Sequence, residues 1–365
     1  MPGPADRSRL KILGRRSVYA ALLVCVLLAI CVAGLIGYRP SPIQVAISGD
    51  SRALGASYGR KLRTPMRLVT RFYLDRIVCR GSFRLIEGSR AAALRTLTNW
   101  PAPYRDELDA TAAAAQVPVS ALAFGNSFLD LGGARVGCRS VVLSHSNTVF
   151  HAHNLDWDNL GGFGRWVTCL VRRNPNDGRF ATVSVGFPGM LGALDIINEK
   201  GLALSFNQLG WGNGGTNEPV LIMLRRIAET CDSLEAARTN LVHAPDGMPF
   251  IITVSDGRVG QGSVFERVHG TVTERQLQGG FVAACNAAQG TTTGTTKLDQ
   301  ALSRSATSDS SALRQVLANP EVLLECNLYS VIFDFRHNRL WLASGQVPAA
   351  RGQYRDYPLF ERPGT

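Results

Sequence analysis

Hydrophobic periodicity changes at residue 138, and the change divides the chain into two kinds of structure. Upstream, Leu62, Met66, Val69 and Phe72 recur at helical spacing within 53–78, with Pro65 placed to divide the helix. Ala91 to Leu97 and Asp106 to Ala115 are also helix-like, and Pro118 opens a further helix that reaches Asp130, since proline suits a first turn. Pro40 and Pro42 mark Arg39 to Gly49 as a linker. Residues 39–137 therefore read as a mostly helical segment.

Downstream the pattern is that of strands. Ser140 to Leu143, Val149 to His153, Trp166 to Arg172 and Ala181 to Val185 alternate or run with β-branched residues between turn signals. Leu194 to Ile197 and Leu202 to Phe206 pair across Asn198-Glu199-Lys200-Gly201. Two helices follow, Val220 to Ala228 behind Pro219 and Ser233 to Leu241 behind Asp232, the latter with Glu235 in a capping-box pattern. Phe250 to Val254, Ser263 to Val268 and Phe281 to Cys285 return to strand, Leu298 to Leu317 reads as one helix, and Tyr329 to Phe335 with Leu340 to Ser344 closes as a hairpin. This order predicts an α+β fold of two stacked antiparallel sheets covered by helices. The Thr/Gly run from Gly290 to Thr296 reads as a loop near the site.

At the other end, Val18 to Tyr38 carries no charge. Its 21 positions, at a rise of about 1.5 Å each, span the roughly 30 Å hydrocarbon core of a bilayer. The basic flank Arg7, Arg9, Lys11, Arg15 and Arg16 stays cytoplasmic by the positive-inside rule, which sends everything after Arg39 to the extracytoplasmic side, periplasmic or lumenal. The expectation is a single-pass anchor. A cleaved signal is the alternative, although Val32-Ala33-Gly34 is a poor exit site.

The break in periodicity falls on Gly137-Cys138, and His151-Ala152-His153-Asn154-Leu155-Asp156-Trp157 follows about one hairpin later. Scission of the Gly137-Cys138 bond would make Cys138 an N-terminal residue, with thiol and α-amine on one residue. The amine, which ordinarily titrates at about 7.7 to 8.0, is suited to serve as base to the thiol. Gly201-Leu202-Ala203-Leu204-Ser205-Phe206-Asn207 and Val282-Ala283-Ala284-Cys285-Asn286 each end a strand on asparagine. These pieces, in this order, resemble the N-terminal-nucleophile (Ntn) hydrolases of the linear-amide group, which includes acid ceramidase, N-acylethanolamine acid amidase, bile-salt hydrolases and the acyl-CoA:6-aminopenicillanate acyltransferase. Gly55-Ala56-Ser57-Tyr58-Gly59 and Tyr104 to Asp130 resemble the helical segment upstream of the nucleophile in the acyltransferase branch.

The resemblance implies a four-layer αββα Ntn sandwich. It divides the chain into 1–38 (basic stretch and anchor), 39–137 (helical pro-segment) and 138–365 (catalytic fragment), with the two fragments remaining associated after cleavage at Gly137 and Cys138. It implies Cys138 as nucleophile, Asp156 as the carboxylate that holds the α-amine, and Asn207 and Asn286 as oxyanion donors, whose neutral N–H groups add no full charge to desolvate. Arginine usually stands where this chain has His153, and a neutral His153 donates one hydrogen bond to the same end. Arg139 follows the nucleophile, either on the surface or against an acidic group of the substrate, and Arg304 is the match for a second orienting arginine. By analogy with acid ceramidase, Cys79 and Cys326 would bridge the fragments.

The function expected is self-processing hydrolysis of a linear amide, an N-acyl small molecule, through a thioester at Cys138. The alternatives are acyl transfer from a thioester or amide to an amine, and a catalytically silent envelope binding protein of the same fold. No cofactor is expected. Eight cysteines occur without C-x-x-C spacing, so no metal site is predicted. A net charge of +11 invites a nucleic-acid reading, but part of it belongs to the first sixteen residues. The rest is scattered without aromatic interleaving, which argues against nucleic acid. A Cys-His dyad of Cys138 with His145 or His151 is a further reading, weakened because alternation sends those side chains to solvent or core.

Overall fold

The computed structural model describes residues 38–132, 137–146, 148–157, 161–210, 217–245, 247–286, 293–304 and 309–361. Apart from Tyr38, the apolar run from Val18 lies outside the described residues. No helix among the described residues is long and apolar enough to cross a membrane. The chain divides into two units, 1–40 and 41–365, and the second holds all that follows.

It begins with a strand, β1 (Ile43–Gly49), where the prolines led us to expect only a linker. Val45 and Ile47 are buried while Gln44 and Ala46 are exposed, the period-2 signature that Pro40 and Pro42 had masked. Helices α1 (Ser51–Lys61) and α2 (Arg63–Leu68) follow, capped by Asp50 and divided at Leu62. Pro65 thus sits in a first turn, where its missing N–H costs nothing. A π-helical stretch runs over Val69–Val78. Then come α3 (Phe83–Thr96), α4 (Ala102–Ala115) and α5 (Val119–Ser127). Helix α1 lies along α4 at a seam of small residues: a methyl group added at Gly55 would stand 2.2 Å from the Glu107 carbonyl oxygen, and one at Gly59 2.5 Å from that of Thr111.

The strands after residue 137 form two sheets. One has six strands in the order β11-β2-β3-β12-β13-β14, all antiparallel. They are β2 (Gly137–His145), β3 (Thr148–Asp156), β11 (Phe281–Cys285), β12 (Asn327–Asp334), β13 (Arg339–Ala343) and β14 (Tyr354–Pro358). The other has eight, in the order β1-β4-β5-β6-β7-β8-β9-β10. They are β4 (Cys169–Pro175), β5 (Thr182–Gly186), β6 (Asp195–Asn198), β7 (Leu202–Gln208), β8 (Phe250–Asp256), β9 (Gln261–Val268) and β10 (Thr271–Gln276). Among the described strands only β1, supplied from upstream of Cys138, pairs in parallel, with β4. Val142, Val149, Ile251 and Val264 pack between the sheets. On the far face of the six-stranded sheet, Val141, Phe150, Ala152 and Ile332 pack against α9 (Thr293–Ser303) and α10 (Ser310–Ala318). Helices α7 (Val220–Thr230) and α8 (Leu234–Val242) pack on the eight-stranded sheet. The protein is α+β, two stacked antiparallel-rich sheets with helices.

Several boundaries differ from expectation. The apolar start at Trp166 belongs to a helix, α6 (Gly161–Val167), and β4 begins only at Cys169. The single helix over 298–317 is two helices, and α9 takes in Thr293 to Thr296 of the expected loop, whose residues 290–292 lie outside the described ones. Ser233 rather than Asp232 caps α8, accepting from the Ala236 N–H at 3.3 Å. β10 and β14 had no reading in the sequence because charged and polar residues dominate both. The expected bridge between Cys79 and Cys326 is not formed: Cys79 lies against Ser89.

Candidate active site

Register places the candidate nucleophile. Gly137 pairs with Asp156, Cys138 with Leu155 and Ser140 with His153. Side chains alternate between the faces of a strand, so Cys138 and Ser140 share the inner face with His151, His153 and Leu155, while Asn154 and Asp156 take the other. Asn154 confirms the parity by donating from Nδ2 to the Leu317 carbonyl of α10 at 3.0 Å. Gly137 is needed for close approach: a methyl group there would lie 2.9 Å from Asp156 Cβ. The Cys138 thiol is fully buried.

Facing the thiol from the eight-stranded sheet are Asp195 on β6 and Asn207 at the end of β7. Asp195 Oδ2 lies 2.8 Å from His153 Nδ1 and accepts from the Tyr329 hydroxyl at 2.6 Å, while Oδ1 accepts from Ser205. His151 lies between Ser255 (Nδ1, 2.9 Å) and Ser205 (Nε2, 2.8 Å). Asn207 accepts from the Ser140 hydroxyl. Three polar side-chain atoms facing this space are buried without an oxygen or nitrogen partner: His153 Nε2, Asn207 Nδ2 and Thr253 Oγ1. Native structures seldom leave such atoms orphaned without a reason.

The electrostatics follow from burial and these pairings. Burial pushes the Cys138 thiol up, and neighbouring His153 works against it. Burial alone would lower His153, but Asp195, with Cys138 adding to it, prevails and pushes it up to about 10. His151 has only Asp195 in its favour, and burial takes it down to about 3. It is neutral, bonded on both nitrogens, and unavailable as a partner for Cys138. Burial raises Asp195, yet His153, Ser205 and Tyr329 together hold it below the usual carboxylate range.

The structure gathers Cys138, Asp156, His153, Asn207, Asn286 and Arg139 around the Gly137-Cys138 bond. Asn286 accepts the Cys138 N–H on Oδ1 and donates from Nδ2 to the Gln208 carbonyl at 2.8 Å, so in the intact chain its donor holds a strand end while Asn207 keeps a donor open. Arg139 is neither free on the surface nor in an open pocket: Nη1 donates to Asp156 Oδ2 and to the Cys138 carbonyl, both at 3.1 Å. Arg304 is not in the site. It is exposed at the end of α9, in the layer over the opposite face of the sheet. His145 is likewise exposed at the far end of β2. His153 does more than donate a hydrogen bond, because Asp195 occupies one nitrogen and leaves the other toward the thiol. Asp195, Ser205 and Tyr329 were missed as site residues. The available signal was a carboxylate inside the apolar strand Leu194 to Ile197.

Beyond Trp157 lies an apolar cavity of about 40 Å³, lined among others by Tyr73, Leu122, Phe128 and Phe187. Trp157 stacks on Phe128 with centroids 5.4 Å apart and donates from Nε1 to the Tyr73 hydroxyl at 2.8 Å. Among the described residues no cluster of three or more His, Cys, Asp or Glu could hold a metal ion.

The family model that matches the chain, over residues 143–319, is acyl-coenzyme A:6-aminopenicillanic acid acyl-transferase. Over that stretch, just under half of the chain, the sequence resembles this acyltransferase family. The match takes in His153, Asp156, Asp195, Asn207 and Asn286 and begins just after Cys138. Among solved structures, an N-acylethanolamine-hydrolyzing acid amidase ortholog from Caenorhabditis elegans is similar at 17% identity and a TM-score of 0.47, over 54% of this chain and 92% of that one. A mutant conjugated bile acid hydrolase from Clostridium perfringens is similar at 12% and 0.40, over 60% and 92%. No curated protein matches by sequence.

Proposed function

We propose that this Ntn-like chain is a self-processing cysteine amidase, built on the four-layer αββα sandwich, that cleaves a linear N-acyl C–N bond through a thioester at Cys138. The observation that carries the reading is the unpartnered, fully buried Nδ2 of Asn207 on the face that presents the thiol. An amide donor left open in a dry site stands ready for an oxyanion, and such preorganised donors are effective because little reorganisation is required. After scission of Gly137-Cys138, Asn286 Oδ1 already holds the nitrogen that becomes the α-amine, and Asp156 lies against Gly137. The apolar cavity behind Trp157 favours an acyl chain over a charged acid component. Acyl transfer to an amine is the second reading, favoured by the description of the matching family model.

Intact-mass measurement of purified protein tests the processing: a fragment beginning at Cys138 is expected, absent in Cys138→Ala. A Cys138→Ala chain still cut at this bond defeats the reading. Val18 to Tyr38 is proposed as the anchor that places the catalytic fragment outside the cytoplasm; recovery of the full chain in the cytosolic fraction would contradict that.

A further inference from the structure

Before scission the nitrogen of Cys138 is a peptide amide. It carries no basic lone pair, and its proton is donated to Asn286. The α-amine that serves an N-terminal nucleophile therefore does not yet exist when the first bond must be cut, and the thiol needs another proton acceptor. The candidates can be taken in turn. Asp156 accepts from Arg139 and lies on the other face of its strand. His151 is engaged on both nitrogens by Ser255 and Ser205. The Tyr329 hydroxyl donates to Asp195, and the two carboxylate oxygens of Asp195 meet Tyr329, His153 and Ser205. His153 Nε2 remains, buried and with no neighbour to bond but the Cys138 thiol, on a residue diagonal to Cys138 across the β2–β3 ladder.

We propose that His153, aimed by Asp195, takes the proton of the Cys138 thiol in the uncut chain and so starts the scission of the Gly137-Cys138 bond. This rests on the reading of Cys138 as a self-processing nucleophile. The Sγ–H proton passes to Nε2, and Sγ attacks the Gly137 carbonyl carbon. The C–N bond to Cys138 breaks as the imidazolium returns its proton to the leaving nitrogen, which becomes the α-amine. Water then cleaves the thioester, its oxygen going to Gly137 as a carboxylate, one proton restoring the thiol and the other taken up by the new α-amine. Asp195 fixes the tautomer and compensates the imidazolium, while Tyr329 and Ser205 fix Asp195.

Four titratable groups face the imidazole, Cys138 from β2, His151 from its own strand, Asp195 from β6 and, through Asp195, Tyr329 from β12, while Asp156 lies on the other face of the strand. With His153 held up to about 10 by Asp195 and Cys138 against burial, and the thiol itself raised, the pair holds two protons near neutrality and must lose one. Scission of the uncut chain therefore accelerates toward alkaline pH.

The test follows the chain from cell-free synthesis by mass spectrometry, across pH, for wild type, His153→Arg, His153→Gln and Cys138→Ala. Arginine keeps a buried cation and donors but cannot accept a proton. Loss of general-base catalysis costs roughly 10²- to 10⁴-fold, so both His153 variants should process at least about a hundredfold more slowly. Processing of either at the wild-type rate overturns the proposal while leaving Cys138 as nucleophile. An uncut wild type would sink the self-processing reading instead, and a second arm then decides the first question. With ¹³C-labelled histidine, the His153 ring titration, assigned through His153→Gln, should move to lower pH in Cys138→Ala and in Asp195→Asn. A titration identical in wild type and Cys138→Ala overturns the proposal whether or not the chain is cut.

Discussion

Asn207→Ala separates the chemical role of this residue from its structural one, because the structure gives the two opposite weights. In the intact fold the Asn207 side chain accepts one hydrogen bond, from Ser140, and leaves Nδ2 buried and unpaired. Truncation strands the Ser140 hydroxyl, which costs about 1–3 kcal/mol, but it also removes an orphaned donor whose burial carries a penalty of about the same 1–3 kcal/mol. The net change in folding stability should be small, within about 1–2 kcal/mol by the same accounting. Turnover should behave quite differently: losing one oxyanion donor costs roughly 10²- to 10³-fold, or about 2.7–4 kcal/mol of transition-state stabilisation. The assay compares urea denaturation midpoints with kcat on the best substrate from a panel of N-acyl p-nitroanilides, measured on matched, folded and fully processed protein. A variant with wild-type kcat whose stability has fallen by more than about 3 kcal/mol would show that Asn207 is a packing residue and that its open donor faces nothing catalytic.

Three further outcomes are expected. Arg225 joins Glu107 and Glu229 with no exposure of any of the three, so Arg225→Met leaves two buried carboxylates and should destabilise by about 3–5 kcal/mol in urea. Glu107, which burial would raise, is held low chiefly by Arg225; stability from a depressed carboxyl is present above its unfolded value and lost as pH falls through the folded one, so Arg225→Met should unfold at a higher pH during acid titration. Gly137→Ala drives a methyl group to 2.9 Å from Asp156 Cβ, an overpacking worth about 1–3 kcal/mol, and should slow the appearance of the Cys138 fragment on a denaturing gel. Asp130 is pushed up to about 7 by burial, and its Oδ2 has no partner. A raised carboxyl weakens the fold as pH climbs from the unfolded carboxyl range through 7, so Asp130→Asn should gain Tm at pH above 7 and little below pH 4.

Legibility in the sequence followed the kind of signal. Cys138, Asp156, Asn207 and Asn286 stand in ordered motifs, and period-2 alternation was enough to bring them to one end of two sheets. The strands β7, β8 and β11 were readable because each has an unbroken apolar face, Leu202, Leu204 and Phe206 in β7 and Phe250, Ile252 and Val254 in β8, and nearly every position is buried. β10 and β14 were not, since edge strands alternate polar residues with little apolar contrast. His153 showed only that a proton-accepting side chain stands where the family has arginine. Its role came from Asp195, 42 residues away, and no local pattern reports a pair formed across two sheets. Arg304 lies away from the site for the converse reason: its likeness to a second orienting arginine carries no information about the face of the sheet on which its helix lies.

The join between the two proposed fragments is built in the same long-range manner. Glu107 on α4 meets Arg225 on α7 in two bonds, at 2.9 and 2.6 Å, and Tyr104 of the same helix donates to Glu229 at 2.8 Å. Arg179 reaches Glu229 as well, at 2.8 Å. Glu229 keeps Arg225 and Arg179 from its own side of position 137, but the buried carboxylate of Glu107 is compensated by Arg225 and Arg173 from the other side. A buried ion network is a weak source of net stability, because desolvation offsets most of the attraction, but breaking it from one side leaves uncompensated charge in the interior. β1 adds a second constraint, for its ladder partner β4 lies downstream of the cut and among the described strands it pairs with no other. Scission at Gly137-Cys138 would remove one covalent bond and neither of these. Separation of the fragments would have to expose a sheet edge and desolvated charges together, so the physical expectation is one folded unit made of two chains, in which the cut frees an α-amine without releasing the segment that precedes it.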